Sequence, residues 1–187
     1  DGPHTFEVRA TDAAGNIDAT PASHAWNIDT VDPAGPVIVT PADGSVTADT
    51  TPTLTGTAEP NSTVTVYDGV TALGTTTADG SGDWTFTPAA PLAEGAHSFT
   101  ATATDAAGNV SGASNQVDVT IDSIAPAAPV IVTPADGTHT SDTTPTISGT
   151  AEADSTVTVY DGVIALGSTT ADGSGDWIFT PGSPLSE

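Results

Sequence analysis

The chain contains no cysteine, no methionine and no lysine, and its one arginine is Arg9. Each absence excludes something. Without cysteine there are no disulfides, so a core, bound ions or neighbouring repeats must supply stability. Without clustered Lys and Arg there is no footprint for nucleic-acid phosphates and no polybasic patch for an anionic membrane. No run of about 18 apolar residues occurs, so no segment reads as a membrane-spanning helix. The opening residues, DGPHTFEV, lack the basic start and apolar stretch of a signal peptide, and any export signal is expected to lie outside them. What the chain does carry is acid. Against that single base stand 24 Asp and Glu in 187 residues, a formal charge of −23, although only 13% of the residues are charged. The apolar share of 36% is below the roughly 45–50% usual for soluble domains, and Thr, Ala, Gly and Pro fill the difference. Such a composition suits short strands and tight turns better than helices.

The chain also repeats itself. TDAAGN at 11–16 returns at 104–109, PVIVTPADG at 36–44 returns at 129–137, and STVTVYDGV at 62–70 returns at 155–163. TTADGSGDW at 76–84 returns at 169–177, and every offset is 93. Residues 33–94 and 126–187 align over 62 positions with 14 differences, mostly swaps such as Leu54 for Ile147. Residues 1–32 match 94–125, the last third of a unit; 33–125 form one whole unit; 126–187 supply the first two thirds of another. Only the middle unit is expected to close its own core.

Within a unit, alternation marks the strands. Val64 and Val66 share one face, Trp84 and Phe86 another, and Phe99, Ala101 and Ala103 a third. Seven strands, A to G, are expected at 36–40, 53–58, 63–67, 71–77, 84–88, 96–103 and 115–121. Asp68-Gly69 is a hairpin signal between C and D, and Asp105 to Asn109 form the F–G turn, with Gly108 free to take a positive φ. Seven short strands in about 90 residues indicate an immunoglobulin-like β-sandwich. The fold expected is all-β: tandem seven-stranded sandwiches in a linear array.

The run TPTLTGTAEP, TVTVYDGVTALGTTTADGSGDWTFTP, LAEGAHSFTATATDAAGNVS and VTIDSIAPAAP resembles the bacterial Ig-like repeats that build the extender regions of large surface adhesins, including biofilm-associated and RTX types. The resemblance covers essentially the whole chain. It implies a non-catalytic, extracellular spacer on the bacterial cell surface, repeated many times, that holds a distal adhesive domain away from the cell. It also implies that some members bind calcium between repeats and are stiffened by it.

Calcium takes six to eight oxygen ligands, largely carboxylates and carbonyls. In a sandwich with A to G in order, the B–C, D–E and F–G loops face the preceding repeat. In the middle unit that end carries Glu59, Asn61, Asp79, Asp83, Asp105 and Asn109, and the arriving linker IDTVDPAGP brings Asp29 and Asp32. The next junction offers Asp122, Glu152, Asp154, Asp172 and Asp176. Its linker has Ile124-Ala125 in place of Val31-Asp32, one carboxylate fewer, so the second site is expected to be weaker. The D–E loop, Asp79-Gly80-Ser81-Gly82-Asp83, sets oxygen side chains at alternate positions, which suits half a calcium loop or a plain Gly-rich turn. Asp12 and Asp105 suit ligation or an Asx-turn, in which the carboxylate accepts nearby backbone N–H groups. Asp29 and Asp122, ending their strands beside proline-containing linkers, are the favoured ligands. Close carboxylate pairs repel by roughly 1 kcal/mol in water and by more at lower dielectric. With no lysine to compensate, cations are expected at the junctions.

Two rival readings have weaker support. For catalysis the chain offers no HExxH, GxSxG or phosphate-cradling glycine loop, and its carboxylates sit in solvated turns where nothing separates their pKa values. A carbohydrate-binding module needs exposed aromatics. Trp84 and Trp177 run in phase with Phe86 and Phe179, and Trp26 aligns with inward Val119, so all three read as core; Tyr67 and Tyr160 read as exposed. An accessory Ig-like module of a secreted enzyme, phage or surface-layer protein remains the alternative to an adhesin stalk. Asn61-Ser62-Thr63 and Asn109-Val110-Ser111 match the glycosylation sequon, with no modification expected in a bacterial protein. Finally, 1–32 supplies F and G alone and 126–187 supplies A to E alone, leaving apolar faces and strand edges open. The two parts flank a whole unit and so are not expected to meet within one chain. Between chains they can join end to end.

Overall fold

In the computed structural model, which describes residues 1–186, fifteen strands and no helix build the fold of the described residues. Among them no helix is long and apolar enough to cross a membrane. The chain divides into two compact units, 1–123 and 124–187. The division falls two residues before the repeat boundary read from the sequence, and the first 32 residues go with the complete sandwich.

The first unit begins with a hairpin of β1 (Gly2–Val8) and β2 (Ala22–Ile28). Eight strands follow: β3 (Val37–Thr40), β4 (Ser45–Thr47), β5 (Leu54–Thr57), β6 (Thr63–Asp68), β7 (Thr71–Thr77), β8 (Asp83–Phe86), β9 (Gly95–Thr104) and β10 (Val117–Ile121). The seven expected strands are all present within a residue or two of their expected ends. One sheet runs β3-β5-β8 and the other β4-β10-β9-β6-β7, an all-β, immunoglobulin-like sandwich. The eighth strand, β4, pairs in parallel with β10, so the chain leaves the first sheet after Thr40 and joins the second. The strand at 71–77 stays with β6 across a two-residue loop, Asp68 pairing with Thr71, and Gly69 takes the positive φ of 55° that the turn needs.

The core is what the alternation demands. Leu54, Val64, Val66, Trp84, Phe99, Ala101, Val117 and Val119 are buried between the sheets, while the Thr residues between them face out. There they pair across strands, Thr40 with Thr55 at 2.6 Å and Thr53 with Thr87 at 2.8 Å. Gly56 is required by packing. A Cβ at this position would overlap the Val37 carbonyl oxygen and stand 2.6 Å from the Trp84 ring. The Asn115 side chain ties β3 to the segment leading into β10, accepting from Ile38 N–H at 2.8 Å and donating to Ile38 C=O at 3.1 Å.

The second unit contains β11 (Val130–Thr133), β12 (Ile147–Thr150), β13 (Thr156–Asp161), β14 (Ile164–Thr170) and β15 (Asp176–Phe179). β11-β12-β15 form one sheet and β13-β14 a two-stranded one, repeating the pairings of β3-β5-β8 and β6-β7. The counterparts of β9 and β10 are not in this unit, and its core is correspondingly open. Ile38 is 4% exposed in the complete sandwich, whereas its repeat partner Ile131 is 62% exposed.

Candidate functional site

The end of the complete sandwich that meets the arriving linker is set by register. Thr63 pairs with both Thr77 and Thr104, and Thr57 pairs with Asp83, so the loops at 58–62, 78–82 and 105–109 lie at one end as expected. The first two are tied by hydrogen bonds, Ala58 N–H to Gly82 C=O at 2.8 Å and Asn61 N–H to Ala78 C=O at 3.1 Å. The linker reaches the third loop, where the Asn109 side-chain amide donates to the Asp29 carbonyl at 3.2 Å.

Of the acidic side chains there, Asp79 and Asp105 are engaged with their own loops. Asp105 Oδ1 accepts N–H groups from Ala107, Gly108 and Asn109 at 2.8–2.9 Å, and Oδ2 accepts the Asn109 side chain at 2.8 Å. The Asn109 side-chain bond leads the effects that hold the Asp105 pKa below the ordinary carboxylate value. The same Asx-turn recurs at Asp12, again led by its bond to Asn16. Asp79 Oδ1 accepts from Ser81 and Asp83 N–H at 2.8 and 3.0 Å, and Asp172 accepts from Ser174 and Asp176 at the same distances. The D–E loop is thus an Asp-closed turn in both copies. Asp29 Oδ1 accepts from Val31 N–H at 3.1 Å, and Asp32, Glu59 and Asp83 are exposed. At the far end of the unit, Asp122 N–H bonds the Thr47 carbonyl. In the second unit Glu152 and Asp172 are exposed on its loops, and Asp176 is exposed at the start of β15. Among the described residues, no three Asp, Glu or His side chains gather closely enough to hold a metal ion.

The tightest ionisable arrangement lies elsewhere and has no signature in the sequence. His97 on β9 places Nδ1 2.7 Å from Asp68 Oδ2 and Nε2 2.9 Å from the Ala93 carbonyl. Asp68 Oδ1 also accepts Ser98 N–H at 3.1 Å. Both ring nitrogens face acceptors, a geometry satisfied fully only by the doubly protonated imidazolium. Burial works against that charge, but the Asp68 hydrogen bond, the Ala93 carbonyl and the Asp68 charge outweigh it and raise the pKa above 6.5. Because the folded value is the higher one, this contribution to stability is complete below pH 6.5 and is lost as pH rises through the folded pKa. The urea midpoint of the complete sandwich is therefore expected to fall across that window. The difference between wild type and His97→Gln should shrink with it; a pH-independent difference would contradict the assignment.

The aromatic expectations divide. Trp84 and Trp177 are buried in the core. Trp26 is 43% exposed and stacks on Phe6, ring centroids 4.5 Å apart. Its phase is inward, but the hairpin has no opposing sheet. Tyr160 is exposed as expected, whereas Tyr67 is half-buried.

Residues 40–123 match the family model of the bacterial Ig-like domain. That match falls within the complete sandwich. Among solved structures, one described as "Biofilm associated protein - BSP domain" is 26% identical, with a TM-score of 0.38, over 67% of this chain and 20% of that one. The tetra-tandem repeat in the extending region of a large adhesion protein is 24% identical, with a TM-score of 0.42, over 97% of this chain and 48% of that one. CopC from Methylosinus trichosporium OB3b is 14% identical, with a TM-score of 0.33, over 46% of this chain and 93% of that one. The chain spans less than half the length of either of the first two. No curated protein matches it.

Proposed function

We propose that the chain is a length of extender from a bacterial cell-surface adhesin, extracellular and non-catalytic, spacing a distal adhesive domain from the cell. One observation carries this reading: the sequence repeats every 93 residues, and the complete repeat is an Ig-like sandwich. A protein built from near-copies multiplies length, and one closed module after another is a physical means of doing so. The carboxylates whose pKa values depart from the ordinary, Asp12, Glu94, Asp105 and Asp118, all depart downward, each led by a side-chain hydrogen bond. Such groups are held as anions in turns and strands, the opposite of what a general acid requires.

Calcium at the junctions is the second part of the proposal. Its support is charge: Asp29 and Asp32 arrive at an end that already carries Glu59, Asp79, Asp83 and Asp105, with no lysine in the chain. An ion there would be held by one or two carboxylates, backbone carbonyls and water. That donor set suits the weak binding of extracellular modules, with dissociation constants of about 10⁻⁴–10⁻³ M. X-ray scattering from chains of increasing repeat number, in calcium and in chelator, tests both parts. The maximum dimension should grow by a constant increment per repeat and contract in chelator. A plateau with repeat number would sink the extender; curves indifferent to chelator would sink the calcium alone.

A further inference from the structure

We propose that the corner at residues 92–94 of the complete sandwich is a latch on the departing linker, held closed by the proton on His97. Glu94 grips the linker at its root. Its carboxylate accepts the Ser123 N–H at 3.0 Å and also the Ser123 hydroxyl. The corner that carries Glu94 is anchored on both sides. Leu92 N–H bonds the Thr50 carbonyl at 2.8 Å, and Gly95 opens β9 opposite Ile121. Between these anchors His97 Nε2 bonds the Ala93 carbonyl at 2.9 Å, while Nδ1 meets Asp68 Oδ2 at 2.7 Å. A path of hydrogen bonds and one peptide unit thus runs from Asp68 on β6, through the imidazole, to Ser123.

The imidazolium satisfies both contacts, because each ring nitrogen then donates. The neutral ring keeps one N–H, and the charged carboxylate of Asp68 holds it more strongly than a carbonyl can. Nε2 then turns a lone pair on the Ala93 oxygen, and attraction becomes repulsion. The ring has little room to swing aside. Its side chain is 10% exposed, and it lies against Phe99 with ring centroids 6.1 Å apart. The corner therefore yields, and Glu94 moves with it. Charge acts in the same direction. Apart from Tyr67, the titratable groups on the elements around the ring are all acids: Asp68 on β6, Asp43 and Asp49 in the loops flanking β4, Glu94 three residues before the ring, and Asp118 and Asp122 on and after β10. Removing the imidazolium charge leaves these carboxylates to repel one another.

Such a grip is compatible with a following module. At the preceding linker Thr30 gives its N–H and its hydroxyl to Asp1 at 3.1 and 2.9 Å, while Asn109 of the complete sandwich holds the adjacent Asp29 carbonyl. Glu94 is not itself the sensor. Its bonds to Ser123, led by that from the hydroxyl, hold its pKa below the ordinary carboxylate value, so it stays an anion while His97 titrates. The raised pKa of His97 keeps the latch closed at pH 6.5 and below and releases it as pH rises through the folded value. The latch belongs to the module and its linker, and it holds whether or not the chain is an extender or binds calcium.

Nitrogen-15 NMR of the full chain in chelator, from about pH 5.5 to about pH 9, brackets the titration of a histidine and tests the proposal. The Ser123 amide should shift with the same midpoint as the His97 ring and lose its protection from solvent exchange as the ring loses its proton. His97→Gln should leave the Ser123 amide at one position across the range. Glu94→Gln alters an exposed side chain; it should abolish the Ser123 shift while the His97 ring still titrates. A Ser123 amide indifferent to pH, one that moves with a midpoint other than the ring's, or one that still titrates in either variant would overturn the proposal. Should His97→Gln fail to fold, the wild-type and Glu94→Gln spectra decide alone. None of these readings depends on repeat number or on calcium, so their failure is distinct from failure of the extender.

Discussion

Replacing Phe99 by alanine is expected to destabilise the complete sandwich by about 3–5 kcal/mol, while Phe6→Ala should leave that sandwich within about 0.5 kcal/mol of wild type. The two phenylalanines occupy the same repeat position, 93 residues apart. Phe99 is fully buried among Leu54, Val66, Val117 and their neighbours, so its removal forfeits transfer energy and leaves a cavity between two sheets held by their hydrogen bonds. Phe6 stacks on Trp26 and is 55% exposed. Urea unfolding followed through Trp84, with Trp26 and Trp177 changed to phenylalanine, reads the complete sandwich separately. Equal effects from the two substitutions would mean that the hairpin shares the sandwich's core, contrary to the burial seen.

Gly56→Ala is expected to be comparably damaging although it adds one methyl group. The new Cβ would overlap the Val37 carbonyl oxygen on one side and press on the Trp84 ring on the other. Trp84 cannot retreat, being buried in the core, and β3 can retreat only by breaking its pairing of Ile38 with Gly56. Overpacking usually costs about 1–3 kcal/mol, and a clash with backbone belongs at or beyond the upper end. That corresponds to a fall in Tm of roughly 15 °C for a domain of this size. Gly80→Ala is the control: nothing lies within 4 Å of its Cβ position, so its Tm should stay within a few degrees of wild type. A mild Gly56→Ala would show that the β3-β5-β8 sheet is looser than its geometry.

Much of this architecture is legible in the residues themselves, and the exceptions mark where local pattern stops. The strands around Val64, Trp84 and Phe99 can be read because one face of each is buried, and burial writes itself as alternation. β4 cannot, since its three residues, Ser45–Thr47, leave Val46 exposed and carry no such pattern. The place of β7 beside β6 is implicit in the Asp68-Gly69 signal, because the two-residue loop Gly69-Val70 can only return the chain onto its neighbour. Trp26 shows the limit of phase: alternation tells which face a residue joins, and nothing about whether a second sheet covers it. Asp79 and Asp105 show the limit of composition. Oxygen at alternate positions between glycines serves a cation or the loop's own amides equally well, and only the hydrogen bonds reveal that the amides are engaged. The His97–Asp68 pair is out of reach for a related reason. The two residues are 29 positions apart and meet only through the β6–β9 register.

The central claim is that residues 33–125 form a self-contained β-module, with the flanking residues supplying parts of its neighbours. Native-state hydrogen exchange measures this directly. Amides of β5, β6, β9 and β10 should exchange only through global opening of the sandwich, and those of β1 and β2 should exchange orders of magnitude faster. Uniform protection from residue 2 to residue 121 would mean a single cooperative body, and the modular account would fail.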